Sequence, residues 1–415
     1  MNLAVIAAAL FAAATPAPAD EKASYDALIA SAQEAFRAED WRALAEALEP
    51  AQALRPYSLF LTRNRILAYA MLEEFERATA IAAKAADRGL SLKLTGHPGF
   101  ETLTARPEFA SVAATMRANA EPVGIAATAL LLDNDGLLPE SFASAGRNGP
   151  QFVGSVRSGT ILRFTNGEAE GFALANGGVF DLEIAGDTLW AAVTLRPPYD
   201  ILPSDKPKAG LIAYALADAT QKSAHFIPGD GALFGDMEFI PGGIAASDSL
   251  VPRVMILRNG SADLAVFAED PRFVNLQGLA YDGRRGRLFV ADYLAGLFSI
   301  DVKTGAVSAI ANSADAHLGG VDGLYLYKGD LIGIQNGATP QRIVRIRLNK
   351  AGDDAVALDV IQQGLPDWRE PTNGKIVGDA LHYVATSNWP AYRDDGSIDE
   401  TVERAPLRIM TAPLK

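Results

Sequence analysis

Beyond Pro122 one unit returns six times, and this repetition limits the chain to very few architectures. Each unit opens with a short strand, turns tightly on Gly, Asp or Asn, continues in a more apolar strand and ends in a third. The units are PESFASAGRNGPQFVGSVRSGTILRF (139–164), VFDLEIAGDTLWAAV with GLIAYAL (179–193 and 210–216), and GDMEFIPGGIAASDSLVPRVMILR (235–258). Then come LQGLAYDGRRGRLFVADYLAGLFSID (276–301), VDGLYLYKGDLIGIQNGATPQRIVRIRL (321–348), and TNGKIVGDALHYVATSN with PLRIMTAPL (372–388 and 406–414). Aligned on Phe142, Leu182, Met237, Leu279, Leu324 and Ile376, they are spaced 40, 55, 42, 45 and 52 residues apart. A four-stranded unit near this period is a propeller blade, so the spacing predicts a six-bladed β-propeller over 122–415.

The last unit runs out of chain after its third strand. The segment VGIAATALLL (123–132), just before the first unit, is a spare β-rich stretch. It is expected to pair as the outer strand of blade six, which would close the ring and remove an open edge.

The preceding part, 20–121, has helical periodicity instead. Tyr25, Leu28, Ile29, Ala32, Ala35 and Phe36 form one stripe, and Trp41, Leu44, Ala45 and Leu48 a second. The second is expected to stop at Pro50 or to run with a kink to Pro56. Leu61, Ile66, Leu67 and Ala70 form a third, and Phe75, Ala78, Ile81, Ala82 and Ala85 a fourth that ends at Gly89. Trp41, Leu44, Ala47 and Ala51 match Phe75, Ala78, Ile81 and Ala85 at a 34-residue period. With small Ala residues where helices cross, this resembles tetratricopeptide repeats, and a last helical pair (98–103 and 107–118) would cap the array. Such an array offers a groove for a peptide or protein partner; the plainer reading is a cap packed on the propeller.

The chain of 415 residues carries a net charge of −13. Such a surface repels phosphates, so nucleic acid and anionic membranes are poor partners. It has no cysteine, which excludes disulfides, thiolate metal sites and cysteine nucleophiles. At the start, an apolar run from Leu3 to Ala14 ends in Ala17-Pro18-Ala19. It reads as a signal peptide (1–19) and implies a periplasmic or secreted protein; the run is too short to span a bilayer.

Units such as LQGLAYDGRRGRLFVADY and VDGLYLYKGDLIGIQNG resemble the senescence marker protein/gluconolactonase/luciferin-regenerating enzyme family of six-bladed propellers. The resemblance implies a divalent metal, usually Ca²⁺, at one mouth of the central channel, with lactone or ester hydrolysis beside it. Glu140, in Pro-Glu-Ser-Phe, matches the family's first-blade Glu, and Asp322, in Val-Asp-Gly-Leu, matches the Asp of its Pro-Asp-Gly motif. Gln277 stands where the family has Asn before Gly-Leu. Gly235 stands where it usually has Asn before Asp, so one ligand is missing and Asp236 lies beside the gap. The implied metal ligands are Glu140, Gln277 and Asp322, and the implied catalytic carboxylates are Asp322 and Asp236. Ca²⁺ takes about six to eight oxygens. Two carboxylates would bring the charge and Gln277 a neutral oxygen.

Other residues carry weaker signals. Asp248 and Asp292 occupy similar positions in their units, where turn roles are expected. His225, His317 and His382 have no metal-ligand spacing, although His317, just before Gly319-Gly320, is within reach of the mouth. Asn336 reads as a turn residue, and the Pro-rich insertion 196–208 as a loop over one face. No GxSxG, HExxH, P-loop or GxGxxG pattern occurs. Two functions remain open: a metal-assisted lactone or ester hydrolase, and a non-catalytic binding protein using the propeller face and the helical groove.

Overall fold

The computed structural model describes residues 19–199, 209–228 and 231–415. Nearly all of the 1–19 signal segment and most of the 196–208 insertion lie outside the described residues.

Helices come first: α1 (Ala19–Arg37), α2 (Trp41–Leu54), α3 (Leu59–Met71), α4 (Phe75–Asp87), α5 (Pro98–Thr104) and α6 (Ala110–Asn119). Asp40 caps α2 by accepting the Ala43 N–H at 3.0 Å, and Ser58 caps α3 by accepting the Leu61 N–H at 3.3 Å. Pro50 does not stop α2. It sits on the solvent face, as does Glu46, whose carbonyl loses its helical partner and can be hydrated. Each of α1 to α4 packs on the next, α5 packs on α3, and α6 on α4.

The strands build six four-stranded sheets around one axis. The outer strand of blade six is β1 (Ala127–Leu132). Blade one is β2 (Pro139–Ser144), β3 (Gln151–Ser155), β4 (Thr160–Thr165) and β5 (Glu168–Leu174). Blade two is β6 (Gly178–Ala185), β7 (Thr188–Thr194), β8 (Ala209–Ala215) and β9 (Gln221–Phe226). Blade three is β10 (Phe234–Ile240), β11 (Gly243–Asp248), β12 (Arg253–Arg258) and β13 (Leu264–Glu269). Blade four is β14 (Leu276–Asp282), β15 (Arg287–Asp292), β16 (Gly296–Asp301) and β17 (Val307–Ala309). Blade five is β18 (Leu324–Tyr327), β19 (Asp330–Gln335), β20 (Arg342–Leu348) and β21 (Ala355–Gln363). Blade six is completed by β22 (Gly374–Val377), β23 (Ala380–Val384) and β24 (Leu407–Pro413).

The expected closure is present: β1 pairs antiparallel with β24, with Leu130 opposite Ile409 and Leu132 opposite Leu407. The strand is shorter than the segment that announced it. Gly124, at φ +85°, turns the chain, and Val123 instead pairs with Gln363 of blade five. Blade six also shifts the alignment of units by two residues. Val384 bonds Thr372 and Asn373 as Ile334 bonds Asp322 and Gly323, so Gly374, not Ile376, is the equivalent of Leu324.

The helical array docks on the propeller. Its core reaches Ala338 between β19 and β20, and Tyr57 packs into the core of blades four and five. The Tyr57 N–H donates to the Leu294 carbonyl (3.2 Å), the Ser91 N–H donates to the Thr339 carbonyl (2.6 Å), and Arg88 pairs with Asp315. These contacts fall on the β15–β16, β19–β20 and β17–β18 connections. All three lie at the propeller end where the inner strands begin.

Candidate functional site

The inner strands β2, β6, β10 and β14 share a device. Each carries a β-bulge near its start, so that two of its residues face one on the neighbouring strand. A bulge re-aims side chains. The first position of each bulge, with its counterparts in blades five and six, is Glu140, Phe180, Gly235, Gln277, Asp322 and Thr372. The second is Ser141, Asp181, Asp236, Gly278, Gly323 and Asn373. The result is two layers around the axis, one at the mouth and one below it.

The mouth opens into a cavity of about 480 Å³. Glu140, Gln277 and Asp322 all line it, with Gly235 between them, so the structure brings together the three metal ligands implied by the sequence. Trp389 Nε1 donates to Glu140 Oε2 at 2.6 Å, and Asn336 Nδ2 donates to Asp322 Oδ2 at 2.6 Å. Tyr293 Oη donates to Asn336 Oδ1 at 2.9 Å. Asn336 is therefore more than a turn residue: it bridges two cavity side chains. Gln277 Nε2 donates to Asn275 Oδ1 at 2.6 Å. A Cβ on Gly235 would lie 3.0 Å from Gln277 Oε1. The longer amide thus leans over the glycine and fills part of the space an Asn there would take.

A third acid, Glu370, also lines the cavity and was not singled out from the sequence. It sits at φ +60°, a strained backbone for a residue with a Cβ, in the irregular lead-in to blade six. Burial pushes the Asp322 carboxyl up to about 6, against the Asn336 bond. Burial, and then the charge of Asp322, push Glu370 up to about 7. Glu140 is raised well above its usual range by burial first and then by Asp322 and Glu370, with the Trp389 N–H opposing. The rest of the lining mixes apolar and aromatic groups, Phe180, Leu233, Leu250, Trp389 and Pro197-Pro198, with the charged side chains of Arg196, Arg393 and Asp394.

The second layer is carboxyl-rich but does not line the cavity. Asp181 and Asp236 share a hydrogen bond, side chain to side chain. Asp236 Oδ2 accepts the Leu279 N–H (2.8 Å), and Asp181 Oδ2 accepts the Met237 N–H (3.0 Å). Burial and then Glu183 push Asp181 up to about 7, while burial and then Asp181 raise Asp236 well above its ordinary value. Farther along the channel Lys375 pairs with Glu183. Asp236 thus stands one layer below Asp322, facing Asp181.

The remaining candidates are structural. Asp248 accepts the N–H groups of Leu233, Leu250 and Val251. Asp292 accepts those of Val274, Asn275, Leu294 and Ala295. Both hold rim turns, as expected. His317 is buried against Tyr57, His382 stacks on Phe142, and His225 bonds the Ala262 carbonyl; none lines the cavity.

The donor chemistry suits a hard cation. Asp322 has one oxygen held by Asn336, which leaves the other for a ligand; the Glu140 carboxyl takes hydrogen bonds from the Trp389 and Thr372 side chains, and Gln277 Oε1 is an amide oxygen. No three His, Asp or Glu side chains among the described residues are arranged to share one ion, so amide oxygens and water would complete the shell.

No family model and no curated protein matches this sequence. Among solved structures, the chain is similar to a Thermus thermophilus protein assigned as an oxidoreductase (glucose dehydrogenase). The identity is 16%, over 69% of this chain and 99% of that one, with a TM-score of 0.49. It is similar to a Bacteroides thetaiotaomicron structural genomics protein of unknown function at 8% identity, over 71% and 72% of the two chains, TM-score 0.47. It is also similar to a chain of a nidogen/laminin complex at 12% identity, over 51% and 76%, TM-score 0.40. Likenesses this remote bear on neither reaction nor ligand.

Proposed function

We propose that the channel mouth is a divalent-cation-assisted hydrolytic site for a lactone or ester carbonyl, in a gluconolactonase-like propeller. The observation that carries this reading is the convergence of Glu140 and Asp322, from blades one and five, on one cavity. Like charges held this way repel unless a cation or a proton lies between them. Glu140, Asp322 and Gln277 would hold the ion, Ca²⁺ by its preference for oxygen donors. When bound, the ion supplies Lewis acidity at the carbonyl oxygen.

The protein's own groups do the rest. Asn336 and Trp389 fix the two carboxylates, and Phe180, Leu233 and Leu250 offer the acyl group an apolar surface. Glu370, pushed up to about 7 and without a side-chain hydrogen bond among the described residues, is the acid best matched to accept a proton near neutrality. A water oxygen bonds the acyl carbon and gives its proton to Glu370; the acyl C–O bond breaks, and that proton passes to the leaving alkoxide. Asp322 is tied to Asn336 and acts as ligand more than base, and Asp236 lies below the cavity. No described helix is long and apolar enough to cross a membrane. Export rests on the 1–19 sequence.

The test is a panel of γ- and δ-lactones and aryl esters, with Ca²⁺ and with chelator. Hydrolysis should need the ion, and Glu370→Gln should lower kcat by about 10²-fold or more. A wild-type protein that hydrolyses nothing above background in the presence of Ca²⁺ would overturn the reading.

A further inference from the structure

We propose that Arg342 is a positioning residue that makes the helical array part of the mouth. It clamps the end of α4 to the β19–β20 connection and so fixes Asn336, the residue that holds Asp322. The inference rests on the reading of the mouth given above.

Gln335 closes β19 and Arg342 opens β20, and the two are register partners. Both are buried, Arg342 at 1% exposure. Arg342 Nε donates to Gln335 Oε1 at 2.8 Å. Its Nη1 donates across the domain contact to the carbonyls of Arg88 (3.3 Å) and Gly89 (3.4 Å), just past α4. Gln335 Nε2 in turn donates to the carbonyls of His317 and Gly319, both at 2.8 Å. One guanidinium thereby ties three chain segments together: the end of α4, the β19–β20 connection and the approach to Asp322. The next residue along is Asn336, whose amide meets Asp322 and Tyr293.

Packing alone does not explain an arginine here. Among the described residues its charge has no carboxylate partner and its Nη2 has no hydrogen-bond partner. Burial pulls the guanidinium down to about 10, so it remains a cation at neutral pH. A buried unpaired charge is destabilising, and an apolar side chain of similar volume would fill the space without that penalty. Two features make the site tolerable. The carbonyls past a helix C-terminus carry the negative end of the helix dipole. Gly89, at φ +76°, lets them approach, since a Cβ there would lie 2.8 Å from Arg342 Nη1. Lysine cannot serve three acceptors in a planar fork. The array also grips the other cavity loop: Tyr57 bonds the Leu294 carbonyl, next to Tyr293, and sets its ring edge-on to His317 at 5.4 Å.

The test compares the full chain with Arg342→Met and Arg342→Lys by hydrogen exchange and by Ca²⁺ titration calorimetry. Gly320 N–H, bonded to the Tyr293 carbonyl, and Gly337 N–H, bonded to the Gly320 carbonyl, report on the loops. In Arg342→Met, peptides 317–323 and 335–341 should exchange at least about tenfold faster than any change in blades one and two. Ca²⁺ should bind at least about fivefold more weakly, with Arg342→Lys between Met and wild type. Should the Met variant not fold, the Lys variant carries the same comparison. Loop exchange that rises only in step with the whole propeller, or a Ca²⁺ affinity equal in all three proteins, overturns the proposal. Wild-type protein that binds no Ca²⁺ refutes the reading of the mouth instead, and exchange alone then decides the clamp.

Discussion

Asp236→Asn isolates the buried carboxyl pair of the channel. The Asn oxygen can keep the Leu279 N–H, and its amide can donate to Asp181, so both contacts survive while one ionisable group is lost. In the wild type, Asp181 stands at about 7 against an ordinary 3.8, and Asp236 is raised as well. The folded chain therefore holds a proton that the unfolded chain has released between about pH 4 and 7. For a carboxyl raised in this way, the stability is full below the unfolded value and falls as pH rises. The loss is complete above the folded value. Each unit is about 1.4 kcal/mol, so three units set a ceiling of about 4 kcal/mol. Relaxation of the channel and sharing of the proton between two carboxyls reduce this to about 2 kcal/mol. The substitution removes the raised Asp236 group itself, while burial and Glu183 still hold Asp181 up, so the variant should lose about 2 kcal/mol less than wild type between pH 5 and pH 8. Urea unfolding at pH 5, 6.5 and 8, followed by tryptophan fluorescence, measures it. Parallel pH dependences in the two proteins would refute the shared-proton argument.

Three further outcomes are expected. Leu130→Asp, on the buried face of the closing strand, should destabilise by about 3 kcal/mol, whereas Leu131→Asp, 57% exposed beside it, should change stability by less than about 0.5 kcal/mol; equal thermal shifts would contradict the register of β1. Gly235→Asn alone should not increase the rise in melting temperature with Ca²⁺, because its Cβ would lie 3.0 Å from Gln277 Oε1, but Gly235→Asn with Gln277→Asn should. Amino-terminal sequencing of exported protein should begin near Asp20, and a retained Met1 would rule out the signal peptide.

The repeat made the ring legible because each blade needs an apolar inner strand and a turn in fixed order. It failed in blade six, where Gly374 takes the place that Phe142, Leu182, Met237, Leu279 and Leu324 mark in the other five. With no apolar residue there, the pattern slid to Ile376. Glu140, Gln277 and Asp322 were readable because their short motifs match those of the family the units resemble, at the starts of inner strands. Asp181 was not, since a bulge decides which of two neighbouring residues faces inward, and no periodicity announces a bulge. Glu370, Trp389 and Tyr293 reach the cavity from rim loops, where the chain follows no repeat at all. The docking of the array through Arg342 was likewise invisible. A single arginine in a strand-rich unit looks the same in the sequence whether it meets water or a helix end.

The central claim is that the acids of the mouth are arranged around a cation. Titration calorimetry of Ca²⁺ into metal-stripped full chain at pH 7.5 tests it most directly, with Glu140→Gln and Asp322→Asn alongside. The account predicts one ion per chain in wild type and at least about tenfold weaker binding in each variant. No binding in wild type, or equal binding in all three proteins, would contradict it.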